Sequence, residues 1–467
     1  MKCDGIVTAL LIATLVAGVP ITADAQSDDP AGLTKVLALP VPTDPKPGEL
    51  AIAVTYTLWI PPSLDARPLR GVIVHQHGCG EGAEKGGETA TFDLHWRALA
   101  AKWDCALFGS SYRGGTNCAS WFDPERGSAR AFTQALATFG EQTGRPELAR
   151  VPWVLWGHSG GAIWAYRMLE KFPHRVLAAV LRSGRPTRFE PGKPDEGEVN
   201  PVRDLTRAIP ILCNLGLKER DDARFGAAWR ASRTFSEQWR KEGALVAFTP
   251  DPRTGHECGN SRFVVIPFLD ACLSRRLPAQ AGTGTLRDMD LATAWLGDPD
   301  TGTIRPAAGE PPPNPAAWAW LPNEAVARVW KEFVTTGIVT DATAPEHAPA
   351  ILKAEATADG VRLAWTAAPD FESGIKAFAV YRDGQALTTF NPQPRPRFAI
   401  AQFQQISYHD TPEAPVPTLS YLDSSAPKGR TVKYEIATIN GFDRESPRSR
   451  AVEVRFGGTE RRDRGAP

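Results

Sequence analysis

The sequence lacks a charge excess of either sign: Lys+Arg and Asp+Glu each number 53 among 467 residues. Nucleic acids and anionic membrane surfaces select for clustered positive charge, so neither is expected as a partner. Beyond the N-terminus no run is long and apolar enough to cross a bilayer, and no stable membrane insertion is expected. Cys-x-x-Cys pairs are missing too, which argues against a zinc site. The rest of the composition is that of a soluble globular protein, 42% hydrophobic and 23% charged. The length points to two domains, with room for three.

The N-terminus reads as an export signal over residues 1–25. Lys2 gives a positive start, residues 6–19 form an apolar run, Pro20 follows, and Ala23-Asp24-Ala25 has the small-x-small form of a cleavage site. A secreted or periplasmic location is therefore expected. The cysteines left after Cys3 departs are Cys79, Cys105, Cys118, Cys213, Cys258 and Cys272. In an oxidising compartment some of them should pair. Cys258 with Cys272, and two of Cys79, Cys105 and Cys118, are the expected bridges.

The patterning predicts an α/β fold with a mostly parallel, doubly wound sheet, followed by a small all-β sandwich. Residues 51–59, 71–76, 106–110, 151–156, 176–181, 209–215 and 245–248 read as strands. Residues 94–103, 128–139, 161–172, 225–239 and 263–273 read as helices, the last interrupted by Pro267. Strands alternating with helices argue for a parallel sheet covered on both faces. The catalytic unit is expected over 26–278 and a connector with a Trp-rich helical segment over 279–344. Trp318, Trp320 and Trp330 cluster there and are expected to pack rather than to stack sugars. Short alternating strands broken by Asp383-Gly384 and Asn440-Gly441 place the sandwich over 345–457, with a disordered tail over 458–467.

The strongest chemical signal is Gly157-His158-Ser159-Gly160-Gly161 between a predicted strand and a predicted helix. A serine on such a turn is exposed, and glycines on either side leave room for the tight backbone. Serine needs a base to become a nucleophile. His256 follows the last sheet strand and is the expected base; His158 should point away and His174 should lie on the surface. The acid should come between serine and histidine in the chain. Glu219 is preferred over Asp221 and Asp222 in the loop after residues 209–215. The oxyanion donors are expected to be the N–H groups of Gly160 and Cys79, with Gly78 next. Tyr112-Arg113-Gly114-Gly115 and Trp121-Phe122 either line the pocket or pack a loop.

These residues resemble the α/β-hydrolase superfamily over about 50–277, and His77-Gly78-Cys79-Gly80 is similar to the His-Gly-Gly-Gly-type loop of lipases and esterases, with Cys79 in place of glycine. The resemblance implies hydrolysis through an acyl-enzyme, with Ser159, His256 and Glu219 in the catalytic roles and no metal or organic cofactor. The placement of Trp365, Tyr381, Tyr434 and Ser446-Pro447 resembles a fibronectin type III domain. Export combined with such a module is similar to extracellular polyester depolymerases and polysaccharide esterases. An ester substrate, with an extracellular polymer such as a polysaccharide or polyester as one candidate, is expected. A serine peptidase and a non-catalytic binding protein are the alternatives. The sequence does not set the oligomeric state.

Overall fold

The computed structural model describes residues 32–62, 67–113, 118–187, 198–282, 285–367, 370–391, 398–400, 402–417 and 419–457. The expected signal (1–25), Gly114-Gly115 and the tail (458–467) lie outside the described residues.

The large sheet has eight strands: β1 (Leu33–Leu39), β2 (Ala53–Ile60), β3 (Gly71–Gln76), β4 (Cys105–Arg113), β5 (Trp153–His158), β6 (Val176–Arg182), β7 (Ile211–Gly216) and β8 (Val246–Asp251). Their order is β1-β2-β4-β3-β5-β6-β7-β8. The pairs β1–β2 and β2–β4 are antiparallel, and every other pair is parallel. This is the α/β-hydrolase fold.

Strands β3, β5, β6, β7 and β8 are buried along their whole length. Helices cover both faces, so these strands read as nearly unbroken apolar runs rather than alternating ones. The helices are α1 (Glu81–Phe92), α2 (Leu94–Lys102), α3 (Ser128–Thr143), α4 (Gly160–Lys171), the short α5 (Asp204–Arg207), α6 (Gly226–Lys241) and α7 (Arg262–Arg276). Phe132, Trp164 and Trp239 of α3, α4 and α6 pack on one face. Trp96, Leu99 and Val265 of α2 and α7 pack on the other. Pro267 does not interrupt α7, which runs through it. One backbone hydrogen bond is lost there. Phe263, Val264, Val265, Ile266, Phe268 and Leu269, all buried around it, hold the helix in place.

The stretch 279–344, read from sequence as a connector with a helical segment, also carries strands. β9 (Trp295–Gly297), β10 (Ile304–Pro306) and β11 (Ala319–Leu321) form a small sheet, and α8 (Glu324–Thr336) follows. Trp320 and Trp330 are buried in the core beside α7, and Trp330 Nε1 donates to Thr249 Oγ1 of β8 at 3.0 Å. These tryptophans pack the element onto the large sheet, as expected.

The C-terminal sandwich has one sheet of β12 (Ile351–Thr357), β13 (Gly360–Trp365) and β16 (Ser420–Asp423). The other holds β14 (Ala377–Arg382), β15 (Gln385–Phe390), β17 (Arg430–Ile439) and β18 (Val452–Phe456), in the order β15-β14-β17-β18. All its pairs are antiparallel. Trp365, Phe378, Tyr434 and Ile436 fill its core, and Tyr434 donates its hydroxyl proton to Asp423 at 2.7 Å.

The sandwich does not stand apart. The connection between β15 and β16 runs over 391–419, and its described part reaches back onto the large domain. Gln404 accepts from Leu94 N (2.8 Å) and donates to Phe92 O (2.7 Å). Arg262 at the start of α7 bonds Asp93 Oδ2 at 2.6 Å and Asp410 Oδ1 at 2.7 Å. All three of these charged side chains are almost completely buried.

Candidate active site

The turn of residues 157–161, an elbow between β5 and α4, follows from backbone geometry. Ser159 has φ 55° and ψ −120°, a conformation that L-residues rarely adopt. A Cβ on Gly157 would lie 2.2 Å from Gly161 O, and one on Gly161 would lie 2.2 Å from Gln76 O. Neither position tolerates a side chain, so the two glycines flanking the serine at a distance of two are steric requirements. Ser159 N–H donates to Arg182 O at 2.8 Å, tying the turn to the end of β6.

Glu219 and His256 come together. The loop after β7 carries the acid and the loop after β8 carries the histidine, both at the carboxyl rim of the sheet where the elbow also sits. His256 Nδ1 bonds Glu219 Oε1 directly. The other carboxylate oxygen accepts from Ser183 Oγ at 3.0 Å. Glu219 is 1% exposed and His256 9%. The His256 ring stacks on Phe225 at 3.7 Å and 11°. The competing acids are elsewhere. Asp221 is exposed and pairs with Arg220. Asp222 is exposed and accepts from Phe225 N and Arg224 N at 2.8 Å each, which holds its carboxyl below the usual range.

Among the described residues no hydrogen bond joins Ser159 Oγ to the His256 imidazole. Such contacts are commonly long before substrate binds. The neighbourhood is tight: the His256 ring centroid stands 5.0 Å from that of His158, the residue beside the serine.

Both ring nitrogens of His158 have partners, Nδ1 facing His409 Nδ1 at 2.7 Å. Its Nε2 donates to His256 O at 2.7 Å. Burial, with His409, His256 and Arg182 nearby, holds its pKa well below the ordinary histidine value. His174 is exposed. Arg182, fully buried at the end of β6, donates from Nη2 to Thr254 Oγ1 (3.1 Å), Gly255 O (3.0 Å) and Glu257 O. It fixes the loop that presents the histidine.

The donors expected for an oxyanion lie side by side. A Cβ on Gly160 would sit 3.6 Å from Cys79 N, and one on Gly78 would sit 3.0 Å from the Ser159 Cβ. Gly160 opens α4, so its N–H has no intrahelical acceptor. Cys79 is bridged to Cys118. This is one of the pairings expected among Cys79, Cys105 and Cys118.

The pairing of Cys258 with Cys272 is corrected: both are reduced and buried. Cys272 lies ten residues beyond the start of α7, about 15 Å along the helix, whereas bridged Cα atoms stand within about 7 Å. Replacing Cys79 and Cys118 by alanine together is expected to lower stability by about 2–4 kcal/mol, read as a shift in urea midpoint. An unchanged midpoint would mean that the bridge does not form.

Tyr112 and Trp121 stack on each other at 4.8 Å and are fully buried. They pack the core. Sequence reasoning missed Arg182, Ser183 and Phe225. Of these only Arg182 gave a signal, as a lone cation ending the apolar strand 176–181.

No protein-family model matches the chain, and no curated protein is similar to it at a significant level. Several solved structures are similar to parts of it. One is a thermostable esterase, at 16% identity and TM-score 0.32, covering 46% of this chain. The chain spans 54% of that esterase's length. An S-formylglutathione hydrolase from Agrobacterium tumefaciens is 15% identical, with TM-score 0.37, over 54% of this chain and 97% of the other. An Fn3-like protein from Clostridium thermocellum is 17% identical, with TM-score 0.16, over 25% of this chain and 99% of its own.

Proposed function

We propose that this chain is a serine hydrolase that cleaves carboxylic esters through an acyl-enzyme. The observation that carries the reading is the buried Glu219–His256 pair, its imidazole 5.0 Å from the ring of His158, next in the chain to a serine held at φ 55° on a strand-to-helix turn. A carboxylate on Nδ1 leaves Nε2 of a neutral imidazole free to accept a proton. His256 then takes the Ser159 proton as Oγ attacks the carbonyl carbon. Negative charge gathers on the carbonyl oxygen, and the N–H groups of Cys79 and Gly160 stabilise it. His256 returns the proton to the leaving alcohol. Water, deprotonated by the same imidazole, attacks the acyl-Ser159 ester and releases the acid.

Export to the periplasm or beyond is part of the proposal. The leader pattern at 1–25 and the Cys79–Cys118 bridge support it. Esters in extracellular polymers are the proposed substrates, and the sandwich module supports that choice.

The test is covalent labelling of the full chain with a fluorophosphonate. The wild type is expected to take one label, on Ser159, and Ser159→Ala none. A panel of p-nitrophenyl esters, feruloyl and acetyl sugar esters, polyester oligomers and peptide anilides then sorts the substrates. An unlabelled wild type, or a label that survives Ser159→Ala, would sink the proposal.

A further inference from the structure

The sandwich places one side chain where the three parts of the site meet. His409 belongs to the connection between β15 and β16, yet its ring lies among residues of the large domain. Its Nδ1 stands 2.7 Å from His158 Nδ1. Its ring stacks on His77 at 4.9 Å and 22°. It also packs directly on α1, because a Cβ at Gly82 would fall 2.2 Å from His409 Nε2. A Cβ at Gly78 would come within 3.5 Å of His409 Cε1.

The hydrogen-bond chain has one consistent assignment. His158 Nε2 faces the carbonyl of His256 and must carry a proton to bond it. Burial keeps both His158 and His409 neutral, the latter lowered to about 4. Neutral His158 therefore has a bare Nδ1, which accepts. His409 Nδ1–H is the donor. The chain runs from His409 through His158 to the backbone of His256 itself.

His409 is held from both sides. Tyr408 O accepts from Cys258 N at 3.1 Å. Asp410 bonds Arg262 and also accepts from Trp96 Nε1 at 3.3 Å. Thr411 Oγ1 bonds His77 Nε2 at 3.0 Å. If His409 served packing alone, an apolar side chain would fill the space without burying an imidazole that must find a partner.

We infer that His409 is a positioning residue for the serine site: it fixes the tautomer and plane of His158, which in turn sets where the loop of His256 sits relative to Ser159 and the Gly78-Cys79 loop. The sandwich is then part of the active centre rather than an appended module. The inference rests on the serine-hydrolase reading above. It adds a residue that touches neither substrate nor the reacting atoms.

The test uses the full chain, with fluorophosphonate labelling rates and steady-state turnover of a p-nitrophenyl ester. His409→Ala is expected to lower kcat and the labelling rate about 10- to 100-fold, the scale of a small misplacement of catalytic groups, with KM changed by less than about threefold. His409→Asn puts an amide N–H near the position of Nδ1–H and is expected to recover most of the rate. Gly82→Ala favours helix α1 by itself, yet its methyl displaces the imidazole. It is expected to slow the enzyme as His409→Ala does and to add nothing to it in the double variant. If His409→Ala fails to fold, His409→Asn and Gly82→Ala decide, by retaining and losing the rate respectively. A folded His409→Ala with wild-type kcat, or an Asn variant as slow as Ala, overturns the inference alone. A wild type that takes no label overturns the hydrolase reading beneath it.

Discussion

Replacing Glu219 by glutamine is expected to lower kcat for a p-nitrophenyl ester about 10⁴-fold, by analogy with the loss when a triad carboxylate becomes an amide, with KM little altered. Size and burial are kept, so the fold should stand. The loss comes from the proton on the imidazole. Glu219 accepts from His256 Nδ1 on one oxygen and from Ser183 Oγ on the other. An amide that keeps its oxygen toward Ser183 presents its NH2 to Nδ1. The imidazole then carries its proton on Nε2, where it cannot accept one from serine. An amide turned the other way keeps the tautomer, but it lacks the charge that stabilises the imidazolium. Steady-state kinetics with active-site titration reads the effect. A fall of less than about tenfold would mean that the carboxylate does not act on the base.

Arg262→Ala is expected to cost about 3–5 kcal/mol of stability, the usual result of removing one member of a buried ion cluster. Arg262 is the cation between Asp93 and Asp410, and all three side chains are at most 1% exposed. Asp93 cannot move away, because it also caps α2 by accepting from His95 N (2.9 Å) and Trp96 N (3.1 Å). Without the guanidinium the two carboxylates are left in the same buried site. Burial already pushes the Asp410 carboxyl up to about 6, and Arg262 opposes that rise. The variant's Asp410 should therefore titrate higher still. A carboxyl whose folded pKa lies above its unfolded value carries its full penalty only above the folded value and sheds it as pH falls through that value toward the unfolded one. The deficit should be largest near pH 8 and shrink toward pH 5. Urea unfolding by tryptophan fluorescence at both pH values checks this. A deficit that grows on acidification would contradict it.

The parts of this molecule that were legible in the sequence are those with a local cause. The elbow announces itself because two glycines are needed within five residues of chain. Glu219 and His256 could be singled out as candidates because each loop follows a recognisable buried strand. Other parts have distant causes. Helix α1 (sequence EGAEKGGETATF) has almost no apolar stripe. It packs by backbone approach instead: a Cβ on Gly109 would lie 2.8 Å from Gly87 O. Periodicity cannot report such packing. Strands β9, β10 and β11 are three residues each, too short to show an alternation. His409 sits in a long connection with no regular pattern, and its partner His158 is 251 positions away. The Cys258–Cys272 expectation failed because helix α7 carries Cys272 away from Cys258, which the cysteine count alone does not report.

The bond between His77 and Thr411 spans 334 positions. Ring closures that wide are slow, and they wait until residue 411 has been made. A ribosome delivers the sheet, the elbow and the acid–histidine pair well before residue 409 emerges. Products cut short upstream of that point would lack the contacts of His409 with His158 and of Thr411 with His77, and the site would be left without that support.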